Sequence, residues 1–211
     1  SLGAGFKIAL RDLELRGAGN LLGSEQSGHI AGVGFEMYCK LLRESVSRLK
    51  GDENALRPTA VVRMDFLHTD DSLFYDEQDA TMASCFPAAY ISEPRLRIEC
   101  YRKIASIVKI EEITTYEEEL RDRFGPIPDQ TRALFYETEI KCLGQEAGFD
   151  SISSKENELF CREVKKSSRD GVKYLKKMGR IPRLNEKLPL LKLKEIIRFL
   201  KIHNHGIKHV S

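Results

Sequence analysis

The sequence predicts an α+β protein, in which an N-terminal helical segment and a glycine-rich loop precede a compact mixed α+β domain. Three observations carry this reading. Apolar residues recur at helical spacing within the first fifty positions and again from 94 to 147. Short alternating runs near 60–67 and 151–162 read as strands. Between the two regions Gly51-Asp52-Glu53-Asn54 is polar and turn-rich, so 1–54 and 55–211 are read as separate units.

The first helix is placed at 6–15, with Phe6, Leu10 and Leu13 on one face and Lys7, Arg11 and Glu14 on another. Gly17 can end it. A glycine-rich loop then runs to about 34. A second helix at 35–50 carries Phe35, Tyr38, Leu42, Val46 and Leu49 on one stripe, with Gly51 as its stop. Residues 60–67 alternate as a strand, Val62, Met64 and Phe66 facing one way and Arg63 and Asp65 the other. The stretch 68–92 is acidic and reads as irregular, apart from a short apolar element at 85–91.

Pro94 suits a helix start, and Leu96, Cys100, Ile104 and Ile107 make the stripe behind it. Thr114 with Glu117 reads as a capping box opening a helix that buries Tyr116, Leu120 and Phe124. Gly125-Pro126-Ile127-Pro128 ends that helix and starts another. The next turns Ala133, Tyr136, Ile140, Leu143 and Ala147 inward and stops at Gly148. Residues 151–153 and 159–162 pair as a hairpin across Glu156-Asn157. A helix is expected near 168–178 and a strand near 180–184. A final helix is marked by Leu193, Ile196, Ile197 and Leu200, and a last short strand by 207–210.

With 211 residues, 41% of them hydrophobic and 31% charged, the chain can form one domain or two small ones. No apolar run approaches the ~20 residues of a membrane span. No charged-then-apolar leader opens it, and a cytoplasmic setting without a membrane is expected. Ser1-Leu2 reads as a remnant joined to a chain that starts inside a longer protein. Five cysteines (Cys39, Cys85, Cys100, Cys142, Cys161) stand at least fifteen positions apart, without the paired spacing of a zinc ribbon or a disulfide framework. They read as buried or half-buried free thiols in a reducing cytosol. His203 and His205 flank Asn204 at an expected helix end, where a cation suits the dipole better than a metal site does.

The net charge of +2 hides an asymmetry. From Lys155 onward there are 16 Lys and Arg against 6 Asp and Glu; the preceding residues hold 18 against 26. A basic third can be a nucleic-acid footprint or an ordinary solvated face. No aromatic ladder for stacking bases accompanies the lysines, which favours the solvated face.

The chemistry concentrates in one loop: Arg16-Gly17-Ala18-Gly19, then Gly23, then Gln26-Ser27-Gly28. Glycine reaches φ > 0 at little cost and lets a backbone approach closely. Arg16 adds a fork of five donors and Gln26 a donor–acceptor amide. On spacing alone, Arg16 caps its own helix and Gln26 is a loop residue. The loop has no lysine entering a helix, so it is not a phosphate-binding loop. The acidic run Glu117-Glu118-Glu119 fits a helix start better than acid–base catalysis. No catalytic residue, metal ligand or cofactor site is expected, and the piece reads as a non-enzyme.

The run from Gly3 to Gly28, with Arg16, Gly17, Gly19, Gly23, Gln26 and Gly28, resembles the translocation motif shared by RecG and the transcription-repair coupling factors. Ala18 and Ser24-Glu25 favour the coupling factors. Tyr101-Arg102-Lys103-Ile104-Ala105-Ser106 and Leu120-Arg121-Asp122-Arg123-Phe124-Gly125-Pro126-Ile127-Pro128 resemble their C-terminal domain. The resemblance implies a parent that is an ATP-dependent DNA translocase, with ATP and magnesium held by a motor upstream of this piece. It implies that Arg16 and Gln26 transmit nucleotide-driven closure into movement along duplex DNA, a job suited to a guanidinium that exchanges bidentate partners. Gly17, Gly19, Gly23 and Gly28 would shape the loop.

For 55–211 the resemblance implies an autoinhibitory module. It would dock on the N-terminal UvrB-like part of the same polypeptide and mask the surface that recruits UvrA until stalled RNA polymerase is engaged. Lys173, Lys176, Lys177 and Arg180 are candidate docking residues. Two alternatives stand beside this: a free-standing nucleic-acid-binding module using the basic third, and a piece of a RecG-type branch-migration helicase.

Overall fold

The computed structural model describes residues 60–68, 75–76, 80–163 and 173–208. The helix at 6–15, the glycine loop, the helix at 35–50 and the boundary at 54–55 lie outside the described residues.

Within them the fold is mixed α+β, as expected. Its elements are β1 (Val61–Arg63), β2 (Leu67–His68), β3 (Tyr75–Asp76), β4 (Thr81–Ala83), α1 (Pro94–Ser106), α2 (Ile110–Phe124), α3 (Asp129–Glu146), β5 (Phe149–Lys155), β6 (Glu158–Glu163) and α4 (Pro189–Lys208). One sheet has the order β1-β5-β6, with β1 parallel to β5 and β5 antiparallel to β6. The other has the order β2-β4-β3, with β2 parallel to β4 and β3 antiparallel to it.

The expected strand at 60–67 is therefore two strands in two sheets. The chain turns where the Leu67 amide bonds back to the Met64 carbonyl at 3.1 Å. Asp65 holds that turn: its carboxylate accepts the Ser154 hydroxyl and, at 2.8 Å, the Glu156 amide. The alternation itself holds, with Met64 and Phe66 buried and Arg63 and Asp65 exposed. Similarly, 68–92 is less irregular than its composition suggests, because β3 and β4 pair within it. Polar composition concealed strands too short to show a period.

The helix α3 positions everything else. It buries residues all round: Ala133, Ile140 and Leu143 against one cluster, Leu134, Phe135 and Cys142 against another. The first cluster lies between α3, α4 and the β1-β5-β6 sheet. It includes Phe66, Ile152, Leu159, Ile196 and Leu200. The second holds Phe86, Ile91, Ile104, Tyr116 and Leu120, and so joins α1, α2 and the 85–91 segment. The sequence marks only the first stripe, to which Tyr136 and Ala147 add partial burial. A helix apolar on both sides is an interior one.

The helix α2 starts four residues before the expected capping box. Its N-cap is Lys109, without a side-chain cap, and Glu111 and Glu112 complement the dipole in its first turn. Burial of Ile113 and packing of Ile110 against both clusters extend the helix past Thr114, which ends up inside it and exposed. The start at Pro94 and the stop at Gly125, with φ 88°, are as expected.

Gly144 sits where α3 crosses β5. A Cβ there would overlap Ile152 Cδ1 and approach Ala60. Ile152 is fully buried and has nowhere to move. Gly144→Ala gains about 1 kcal/mol of helix propensity but overpacks the junction by about 1–3 kcal/mol. We expect a net loss, read as a lower urea midpoint at unchanged m-value.

Candidate interaction surface

The β5–β6 hairpin forms as expected. Glu156 and Asn157 have φ of 50° and 64°, the paired left-handed conformation of a two-residue hairpin turn. The outer edge of β6 is covered by residues 173–184, and here the expected helix near 168–178 fails. The described part of it is extended chain. The Leu175 amide donates to the Cys161 carbonyl at 2.8 Å, and the Leu159 amide to the Pro182 carbonyl at 2.8 Å. Leu175 packs on the first core cluster, and Tyr174 meets Phe160 edge-on at 5.8 Å. Satisfying the open edge of β6 outweighs the helical spacing of this short stretch.

Pairing runs from Arg162 with Tyr174 to Glu158 with Arg183, so four steps along β6 face nine along the covering segment. The surplus leaves the sheet as a turn at 177–180. It closes on itself: the Lys177 amide donates to the Arg180 carbonyl at 2.9 Å, and the Arg180 amide to the Lys177 carbonyl at 3.1 Å. Met178 and Gly179 hold φ of 52° and 78°. Met178 is 96% exposed. A two-residue hairpin turn requires this paired left-handed conformation, as at Glu156-Asn157, and the two turn hydrogen bonds offset its cost at Met178.

The candidate docking cations Lys173, Lys176, Lys177 and Arg180 are all exposed on this arm. Arg16, Gly17, Gly19, Gly23, Gln26 and Gly28 lie outside the described residues. Sequence reasoning missed Met178, although a Met-Gly pair between cations signals a turn with an apolar tip.

The far end of the arm is clamped to α4. The Glu195 carboxylate accepts the Asn185 amide at 2.9 Å, the Asn185 Nδ2 at 2.8 Å and the Glu186 amide at 3.0 Å. Partial burial works to raise its pKa, but these donors and the charge of Arg198 outweigh it and hold the carboxyl below its usual range. A carboxyl lowered in the folded state stabilises the fold above its unfolded pKa, and that contribution fades as pH falls through the folded value. Glu195→Gln should therefore cost about 1 kcal/mol at pH 7, allowing for solvent screening. The gap between the thermal melts of the two proteins should narrow as pH falls below about 4.3 and close only below the folded-state value. A gap that does not narrow at all as pH falls from about 5 to about 2 would show that the carboxylate charge is not what holds the clamp.

In α4, His203 stacks on Phe149 at 5.5 Å, several residues before the helix ends. The expected strand at 207–210 is not formed by Ile207 and Lys208, which complete this helix. Packing of Leu200 and of Asn204, whose Nδ2 donates to the Leu143 carbonyl at 3.1 Å, carries the helix through. Cys85, Cys100, Cys142 and Cys161 are buried free thiols, as expected; Cys39 lies outside the described residues. Burial pushes Cys161 up to about 12 and raises Cys100 and Cys142. Such thiols are poor nucleophiles. Burial likewise raises Tyr116, whose hydroxyl donates to the Cys100 carbonyl at 3.3 Å.

Among the described residues no three His, Cys, Asp or Glu gather as a metal site, and no helix is long and apolar enough to cross a membrane. The described residues form a mixed α+β domain with one basic arm at a sheet edge.

Residues 81–174 match the family model of the TRCF domain. The chain is 36% identical over 153 residues to the transcription-repair-coupling factor of Mycobacterium bovis, covering 72% of this chain and 12% of that protein. It is 36% identical over 151 residues to that of Bacillus subtilis, covering 72% of this chain and 12% of that protein. For the Haemophilus influenzae protein the identity is 35% over 167 residues, covering 74% of this chain and 14% of that protein. A solved structure described as the C-terminal domain of transcription-repair coupling factor aligns over 69% of this chain and 97% of that chain, with a TM-score of 0.42 and 21% identity. The chain belongs to the transcription-repair coupling factor family and carries its TRCF domain. It spans about an eighth of the length of these curated relatives.

Proposed function

We propose that this chain is the C-terminal part of a transcription-repair coupling factor and serves as its regulatory, non-catalytic piece. The observation that supports this most is the match of residues 81–174 to the TRCF domain, within a stretch about 36% identical to named coupling factors. In this reading residues 1–54 end the motor region. Arg16 and Gln26 couple ATP-driven closure, with ATP and magnesium held upstream, to movement on duplex DNA that displaces stalled RNA polymerase.

Residues 55–211 dock on the N-terminal UvrB-like module of the same polypeptide and mask its UvrA-binding surface. The make-up of the described domain suits such a role. Buried Arg97 holds the fold, donating to the Ile91 and Ser92 carbonyls at 2.6 and 3.0 Å. Its thiols are buried. The test compares the intact parent with a version truncated near Asn54. Truncation should raise UvrA affinity and ATPase rate together. Equal UvrA affinity with unchanged ATPase would eliminate autoinhibition as the domain's role.

A further inference from the structure

We propose that the arm at 176–183 is a contact for the phosphate backbone of duplex nucleic acid, a use of Lys176, Lys177 and Arg180 that differs from docking on the UvrB-like module. Lys176, Lys177, Arg180 and Arg183 are exposed on both limbs of one tight turn, and none is ion-paired among the described residues. Composition alone spreads these charges over a third of the chain; the fold gathers them on a projecting two-limbed ribbon. The ribbon is anchored: its base is bonded to β6, Leu175 packs on the core, and Glu195 holds the chain where it returns to α4. Little conformational freedom remains to be lost there when a partner binds.

A polyanion with evenly spaced charge suits cations on both limbs, because it requires no matching register. A two-stranded ribbon is also of a size that the major groove of a duplex admits. Met178 at the tip would then meet base edges, where an apolar side chain finds thymine methyl groups. Met178 is otherwise a large apolar side chain left almost wholly in solvent. Single strands fit less well, since Tyr174, the aromatic ring at the arm's base, already lies against Phe160. Exposed Glu111, Glu118 and Asp122 on α2 would repel the same polyanion and leave the arm as the side that meets it.

Three or four phosphate contacts predict a slope of log affinity on log salt near −3. They also predict weak binding, with Kd around 10⁻⁴–10⁻⁵ M at low salt. The test is fluorescence anisotropy of a labelled DNA duplex of about 24 base pairs, titrated with the whole chain at several salt concentrations. The variant Lys176→Glu/Lys177→Glu/Arg180→Glu should bind at least about tenfold more weakly, with the slope reduced by about 2–3. A charge-matched control, Arg95→Glu/Lys103→Glu/Lys109→Glu, alters exposed cations on α1 and at the start of α2 and should lose far less. Absence of duplex binding at 50 mM salt, or equal losses in the two variants, would overturn the proposal. So would displacement of the duplex by polyglutamate at equal charge concentration, which would point to an acidic protein surface instead. None of these readouts involves UvrA, so failure here leaves the docking proposal standing.

Discussion

Ile140→Ala and Leu134→Ala should each lower the unfolding free energy by about 3–4 kcal/mol. Both side chains are fully buried on α3, but they point into different clusters: Ile140 joins the sheet and α4, whereas Leu134 joins α1 and α2. Domains of this size are commonly stable by about 5–15 kcal/mol, so either change removes a large fraction. The informative quantity is the shape of the transition. Because one helix serves both clusters, either truncation should shift a single cooperative unfolding, with far-UV dichroism and tyrosine fluorescence moving together. Tyrosine is the available fluorophore, since the chain has no tryptophan. If Leu134→Ala split the melt into two steps while Ile140→Ala did not, the clusters would be separate folding units and α3 would not be the shared core.

That shared helix marks the limit of what periodicity reveals. One stripe of α3 was legible because Ala133, Ile140 and Leu143 recur at helical spacing; Leu134, Phe135 and Cys142 recur too, and two overlapping stripes blur each other. Pro94 and Gly125 were legible because proline at a helix start and glycine at a stop act through local backbone geometry. The Thr114–Glu117 pair matched a local signal equally well. It failed because burial of Ile110 and Ile113 is a tertiary effect that no four-residue pattern contains. The hairpin at 156–157 was legible from two flanking apolar runs and a polar pair between them. The extended chain at 173–184 was not, because its partner is the edge of β6 and the pairing of Arg162 with Tyr174 leaves no mark in local sequence. For the same reason the basic third could be counted but not shaped: its charges became an arm only once that edge was known. The glycine loop with Arg16 and Gln26 carried its signal in the resemblance, and its geometry lies outside the described residues.

Under the proposed intramolecular docking, the whole chain added in trans to the isolated UvrB-like module should bind with a Kd of about 10–100 μM. A module tethered within the same polypeptide experiences its partner at roughly millimolar concentration. A regulated protein that still opens on engagement keeps its open state at about 1–10% of the population. The closing equilibrium constant is then about 10–100, and millimolar divided by that constant gives the affinity in trans. A much tighter complex would hold the parent shut beyond what engagement could reverse, since each tenfold requires about 1.4 kcal/mol of differential binding. Isothermal titration calorimetry at a few hundred micromolar would read the value directly. A Kd below about 1 μM would imply a parent closed more than 99.9% of the time at that effective concentration, and regulation by population shift would fail. No heat and no complex near millimolar would remove the docking contact itself, because no tether of ordinary length could then keep the surfaces together.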